Sequence, residues 1–371
     1  MNSKFIDKTH TVGGGILSST ITLLRFPMAV LIVFHHSSFE LELKNGVSIF
    51  EGLEAPFYHH LDYMSVRNIT MIAVPLFFLI SGFLFFFKEK EFTIEIYINK
   101  LKKRIKSLFM PYIIWNILVL LLYFVVQNLA PTMNSGRTKL VTEFDFSDLL
   151  CCFWSMKDLN GQATPIDGPL WFIRDLMIIM LLSPIVYWLI KKLKFFVPMV
   201  FLALYISGAV PTIGGLSIAV CTFFSIGAYF GIYKIDFVKQ TMKFVRYSSF
   251  LYVGLLLVIV SMMDMSLPSY IIMAEIVIGV FTSIGVAGKM IQSGCVPNKF
   301  LAGSTFFLFA SHSEVLKIFV RLCSQFGPSS EVFYCIAYLI CPLIACMLLL
   351  LVYKTLNFFM PKVAAVLSGG R

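Results

Sequence analysis

Residues 74–87 read VPLFFLISGFLFFF and form the centre of an apolar run, 69–87, that carries no charged residue. A helix needs about 20 such residues to cross the hydrocarbon core of a bilayer, with a range of ~17–25. The run shows no alternation of polar and apolar residues, so it reads as a membrane helix and not as a strand of a barrel. Working outward, nine further runs of this kind occur at 21–39, 108–129, 169–190, 195–210, 214–233, 247–263, 269–288, 302–320 and 333–353. The fifth in chain order, 195–210, is short. The expected fold is all-α: a polytopic integral membrane protein with about ten transmembrane helices.

Composition agrees. Of 371 residues, 58% are hydrophobic and 13% charged, and 38 are Phe. That charged share is about half of the ~25% usual in soluble domains. A soluble enzyme, a disordered chain and a nucleic-acid binder are thereby excluded, although the net charge is +10. The basic excess lies in short connectors. With the N-terminus in the cytoplasm, 21 of the 30 Lys and Arg fall in inner segments and six in outer loops, which places both termini in the cytoplasm. The layout is a cytoplasmic N-terminal segment, 1–20, a membrane domain, 21–355, and a cytoplasmic tail, 356–371. Two long outer loops, 40–68 and 130–168, are candidates for shaping a substrate surface. The first span has no small-residue cleavage site after it and is not a removable signal. Of eight cysteines, six lie in or beside apolar runs, Cys151 and Cys152 are adjacent in a loop, and none shows metal-ligand spacing. They read as small membrane-compatible residues, and no metal site is expected.

A charge at mid-span costs about 2.5–3.5 kcal/mol on insertion scales, so intramembrane ionisable groups are default candidates for function. In ITLLRFPMAVLIVFHHSSF, residues 21–39, Arg25 and His36 are 11 residues apart. That is three turns plus ~20°, one helix face, with roughly 16 Å between them along the axis. His35 points ~100° away. Snorkelling of Arg25 to headgroups explains this span as well. The pair Ser81–Gly82 lets another backbone, or a slender ligand, come close. Lys102, Lys103, Arg104 and Lys106 precede the third span and suit anionic headgroups or a phosphorylated cofactor. Arg174 and Asp175 lie one turn beyond Trp171. In STFFLFASHSEVLKIFV, residues 304–320, Glu314 and Lys317 can pair at i+3, and His312 points away from them, so it needs a partner from another helix.

In order, these segments resemble the membrane acyltransferase 3 family over about residues 20–355. Arg25 and His36 match its first-span spacing, and VPLFFLISGFLFF resembles its second-span FF-x-x-SG-F signature. The basic run from Arg104 to Pro111–Tyr112 falls where the family has its cytoplasmic basic motif. LWFIRDL and FLFASHSEVL look like its later Trp-Phe and His-bearing spans. One departure is that Ser107 stands where an Arg-x-x-Arg motif would place its second Arg.

The resemblance implies a stand-alone membrane O-acyltransferase in the cell membrane, with no permanently bound cofactor. It would move an acyl group, acetyl in the usual case, from cytoplasmic acyl-CoA to a hydroxyl of an extracytoplasmic or lipid-linked envelope saccharide. Catalytic residues would be His36, with Arg174 at the oxyanion or acceptor and His312 assisting. Arg25, Lys103, Arg104 and Lys106, with Ser81 and Gly82, would hold acyl-CoA. The rival expectation is a transporter or flippase for an envelope glycan or its precursor, which ten spans with sparse charges also fit; the absence of an inverted repeat counts against it.

Overall fold

The computed structural model describes residues 12–44, 46–129, 139–157, 163–210, 214–263, 265 and 267–370. Lys4, Lys8, Arg137 and Arg371, which enter the charge count, lie outside the described residues, as does most of the segment 1–20. Among the described residues the chain is helical throughout, apart from two short antiparallel hairpins. These pair β1 (Leu43–Lys44) with β2 (Val47–Ser48) and β3 (Met156–Lys157) with β4 (Ala163–Thr164).

The long helix α1 (Val12–His35) is followed by α2 (Pro56–Arg67), a 3-10 turn at Ile69–Ile72 and α3 (Ala73–Phe87). Next, α4 (Ile94–Arg104) passes through a π-turn, Ile105–Phe109, into α5 (Met110–Leu129). Pro111 explains the wide turn: it has no N–H, and its ring would clash with the carbonyl four residues back in a regular helix. The segment after α5 holds the short α6 (Phe146–Cys151), and a bent pair then follows, α7 (Trp171–Leu181) and α8 (Ser183–Leu193). The two helices meet at 62°, where Pro184 begins the second. Helices α9 (Phe196–Ser207), α10 (Ile218–Ile232), α11 (Phe237–Ser261) and α12 (Ser269–Gln292) follow, then α13 (Lys299–Phe326), α14 (Glu331–Phe359) and α15 (Pro361–Leu367).

Each of the ten apolar runs is helical, but fewer than ten have the dimensions of a span. Six runs are long and apolar enough to cross a membrane, and the α7–α8 pair makes a seventh if it is one broken span. At 12 and 15 residues, α9 and α10 fall short of the ~17 a crossing needs. Helix α13 has 28 residues but carries Lys299, Glu314, Lys317 and Arg321. The molecule is therefore an all-α polytopic membrane protein in which, among the described residues, six helices, or seven counting the bent pair, have the length and composition of a span.

Helix α1 packs against α13, α12, α14 and α3, so the span with Arg25 and His36 runs through the middle of the bundle. The closest pairing joins α3 to α10. The tail is not detached either: α15 packs on α5, and the Trp115 indole N–H donates to the Leu367 carbonyl at 3.0 Å.

Of the segment 130–168, expected as an outer loop, the described parts, 139–157 and 163–168, lie along α5. Val141 N–H donates to Gln127 Oε1 at 2.8 Å, Asp167 N–H to Asn116 Oδ1 at 3.1 Å, and the Tyr112 hydroxyl to the Phe153 carbonyl at 2.5 Å. From Gln127 to Tyr112 is 15 residues of helix, about 22 Å. A small second core, Val119, Tyr123, Cys152, Met156 and Ile166, seals the contact. Irregular backbone at this depth is tolerated only where protein buries it or where it lines a wet cavity.

Candidate functional site

Helix α1 ends in a tight turn, with His36 N–H donating to the Val33 carbonyl at 3.2 Å and Ser37 N–H to the Phe34 carbonyl at 3.1 Å. The Ser37 hydroxyl and, at 3.4 Å, the Tyr338 hydroxyl donate to the same Phe34 carbonyl. This turn carries the His36 ring out of the helix, where it is exposed, to 5.2 Å from the ring of His312 on α13. His312 thus meets a ring from just beyond the end of α1, and it is fully buried.

Hydrogen bonding fixes the state of His312. Its Nδ1 lies 2.6 Å from the Phe309 carbonyl, which can only accept, so Nδ1 carries the proton. Nε2 is then a bare lone pair, with no hydrogen-bond partner among the described residues. His35 turns the other way, as its helix angle requires. The Thr70 hydroxyl donates to the Ser65 carbonyl at 2.9 Å and accepts from His35 Nδ1–H at 3.0 Å.

A second group adjoins the histidines. Lys317 donates to Glu314 at 2.7 Å and to the Tyr123 hydroxyl at 3.0 Å, and that hydroxyl donates to Glu314 at 3.0 Å. The Lys317 charge acts on both His36 and His312. Its side chain is 57% exposed. Two exposed polar groups, His36 and Lys317, thus border fully buried His312.

The other candidates are placed elsewhere. Arg174 is 4% exposed and its donors are committed to protein. Nε and Nη2 donate to Asp175 Oδ1 at 3.2 and 3.1 Å, and Nη1 donates to the Trp154 carbonyl. Asp175 Oδ2 accepts Ser217 N–H at 3.1 Å. The pair ties α7 to the segment on α5 and to the start of α10, which is a positioning duty and gives the expected oxyanion role no support. Replacing Arg174 with Leu leaves Asp175 a buried unpaired charge and is expected to cost about 3–5 kcal/mol. Thermal unfolding in detergent checks this, with the double variant Arg174→Leu/Asp175→Leu recovering most of the loss.

Gly82 is likewise spent on packing. A Cβ there would lie 2.2 Å from the Phe224 carbonyl oxygen of α10, so no slender ligand fits at that point, and the neighbouring Ser81 is half-buried. Of the basic motif, Lys103 and Lys106 are exposed and Arg104 is half-buried at the π-turn. Arg25 is half-buried on α1 and forms no ion pair among the described residues. Two carboxylates were passed over in the sequence: Asp167, in the segment on α5, and Glu275, on α12. Both are fully buried.

The acyltransferase domain family matches residues 19–351. The succinoglycan biosynthesis protein ExoH of Rhizobium meliloti (strain 1021) is 23% identical, over 96% of this chain and 93% of that protein. No solved structure matches the chain. The match spans both histidines, the basic motif and most of α14, and with it the chain belongs to the acyltransferase 3 family, as an enzyme that transfers acyl groups other than aminoacyl groups.

Proposed function

We propose that this enzyme transfers a short acyl group, acetyl in the first instance, from cytoplasmic acyl-CoA to a hydroxyl of an extracytoplasmic envelope saccharide, with the chain in the cell membrane and both termini in the cytoplasm. The observation that carries this reading is the exposed His36 beside buried His312, at the end of a helix that bears Arg25 three turns earlier. The acceptor side is supported by the relative, whose name places it in the biosynthesis of a glycan.

In this reading the phosphates of CoA meet Arg25, Lys103, Arg104 and Lys106. The pantetheine arm carries the thioester along α1 for roughly 16 Å. A neutral His36 takes the acceptor hydroxyl's proton as the oxygen attacks the thioester carbonyl. The C–O bond forms, the C–S bond breaks, and the leaving thiolate receives the proton from the imidazolium. His312, whose ring lies 5.2 Å from that of His36, steadies the imidazolium when His36 is charged.

The test is purified protein in liposomes with labelled acetyl-CoA and an envelope-glycan extract. Label on glycan with release of CoA is the expected result. Movement of glycan across the bilayer with acyl-CoA untouched would replace this reading with a transporter. Each hydrogen bond to a charged group contributes about 1.5–3 kcal/mol, so Arg25→Ala is expected to raise the KM for acyl-CoA about 10–100-fold with kcat little changed. Initial rates against acyl-CoA concentration check it.

A further inference from the structure

The outer segment 40–68, a candidate substrate surface by its sequence, begins four residues beyond His36. Burial alternates along that stretch. His36 and Glu40 are exposed and Ser38 is half-buried, while Ser37 and Phe39 between them are fully buried. His36, Ser38 and Glu40 therefore share one open side of the chain. Four residues reach at most about 14 Å, which bounds the Cα separation of His36 and Glu40. The path between them is fixed: Phe39 N–H donates to the Tyr58 hydroxyl at 2.7 Å, and Glu40 N–H to the Ser38 hydroxyl at 3.2 Å. Exposed Glu40, Glu51 and Glu54 place this stretch in water and not in hydrocarbon.

At Glu40 a partner arrives from α2. His59 Nδ1 lies 2.6 Å from Glu40 Oε1, and each side chain is 37% exposed. The carboxylate accepts, so Nδ1 carries the proton and Nε2 is turned to other partners. The His59 ring is backed by Phe50 at 5.1 Å and Tyr58 at 5.8 Å. The start of α2 is pinned in turn by Glu331, whose Oε1 accepts the N–H groups of Phe57 and Tyr58 at 2.5 and 3.1 Å. An exposed ion pair adds little to stability, and Tyr58 and Glu331 already secure the fold at this point. What the pair does offer is Glu40 Oε2 and His59 Nε2, side by side and without a hydrogen bond among the described residues. Two such atoms suit neighbouring hydroxyls of a sugar ring. Residues 40–54 hold four acids and one Lys, a balance that favours an uncharged ligand over an anionic one.

We propose that Glu40 and His59 form an acceptor subsite: they bind adjacent hydroxyls of an uncharged sugar unit next to the one that reacts, and so fix which hydroxyl of the reacting unit reaches His36. The inference rests on the acyl-transfer reading above and names its acceptor subsite. Glu40 binds through Oε2 while Oε1 stays with His59, so the imidazole both orients the carboxylate and supplies a second contact. Because the subsite serves a neighbouring unit, its contribution grows with the length of the acceptor.

The test compares wild type, Glu40→Gln, Glu40→Ala and His59→Ala in liposomes, with labelled acetyl-CoA and the envelope-glycan extract hydrolysed and sized into short and long fragments. Loss of a charge-assisted hydrogen bond is expected to raise the KM for long fragments about tenfold in Glu40→Gln and His59→Ala, and further in Glu40→Ala. The KM for the shortest fragment that wild type accepts and the KM for acyl-CoA should stay within twofold of wild type. Thermal unfolding should occur at the wild-type temperature, since the pair is exposed. Three results overturn the proposal: a long-fragment KM within twofold of wild type in Glu40→Ala, an equal rise for short and long fragments, or a lowered unfolding temperature with every KM altered together. A wild-type KM that does not fall as fragments lengthen overturns it as well. If wild type itself consumes no acyl-CoA with any fragment, the acyl-transfer reading falls and this inference with it. An active wild type with an insensitive Glu40→Ala overturns the subsite alone.

Discussion

His36→Ala is expected to lower acyl transfer by about 10²–10⁴-fold, the range that a general base supplies, while the protein inserts and folds as wild type does. The second half of this expectation follows from position. His36 is exposed, and its ring packs on two other rings, those of His35 and His312, so truncating it opens no sealed cavity. His312 is the opposite case. It is fully buried and bonded to Phe309, so His312→Ala is expected to lose stability together with rate. His36→Gln keeps shape and polarity but no basic nitrogen and should be as inactive as His36→Ala. His35→Gln, at a ring turned to Thr70, should retain most of the rate. Rates per milligram of monodisperse protein, taken beside thermal unfolding curves, separate these outcomes. A well-folded His36→Ala enzyme with wild-type rate would remove the base from this position and leave Lys317 and His312 as the groups to examine.

What could be read from the chain was what helix periodicity controls. The Glu314–Lys317 pair and the opposed directions of His35 and His36 follow from 100° per residue, and the structure shows both. The need of His312 for a partner followed from the same angle, but which helix would supply it did not. How residues 139–157 and 163–168 pack was not legible, because they are polar and poor in helix, which is also how an exposed loop reads. Their depth is set by Gln127, Asn116 and Tyr112, three side chains of a helix that by itself reads as a plain span. The partners of Arg174 were not legible for a related reason. The sequence shows a cation inside a span but not that its donors end on Asp175 and the Trp154 carbonyl. Glu275 was legible, as a single carboxylate in the apolar run YIIMAEIVIGVF, residues 270–281, and its significance was missed. The shortness of α9 and α10 was half legible, since hydropathy continues past the residues at which the backbone turns.

Gly227→Ala is expected to destabilise the protein by at least about 3 kcal/mol, at the top of the usual range for overpacking, and Gly227→Leu to prevent folding. The reason lies in what the new atom would meet. A Cβ at Gly227 would stand 1.9 Å from the Leu79 carbonyl oxygen, and at Gly82 and Gly231 the corresponding contacts are 2.2 Å from the Phe224 oxygen and 2.6 Å from the Phe83 oxygen. All three obstacles are backbone, so no rotamer change relieves them, and α3 and α10 must move apart along their whole contact. Below the glycines the ammonium of Lys234 donates to the carbonyls of Phe86, Phe87 and Glu89, which fixes the end of α3 and resists a compensating slide. Gly254, on α11, has nothing within 4 Å of its Cβ position. Gly254→Ala is therefore the matched control, expected to be neutral or to stabilise by about 0.5–1 kcal/mol through helix propensity. Separation of α3 from α10 also reaches the site. Phe78 of α3 packs on Phe172 at 5.1 Å, Phe172 on Phe309 at 5.3 Å, and Phe309 holds the proton-bearing nitrogen of His312. The fraction of Gly227→Ala that folds should accordingly transfer acyl groups more slowly than wild type, with the KM for acyl-CoA unchanged. If Gly227→Ala instead unfolds at the wild-type temperature, the α3–α10 contact is looser than described, and Ser81–Gly82 regains the room to meet a ligand.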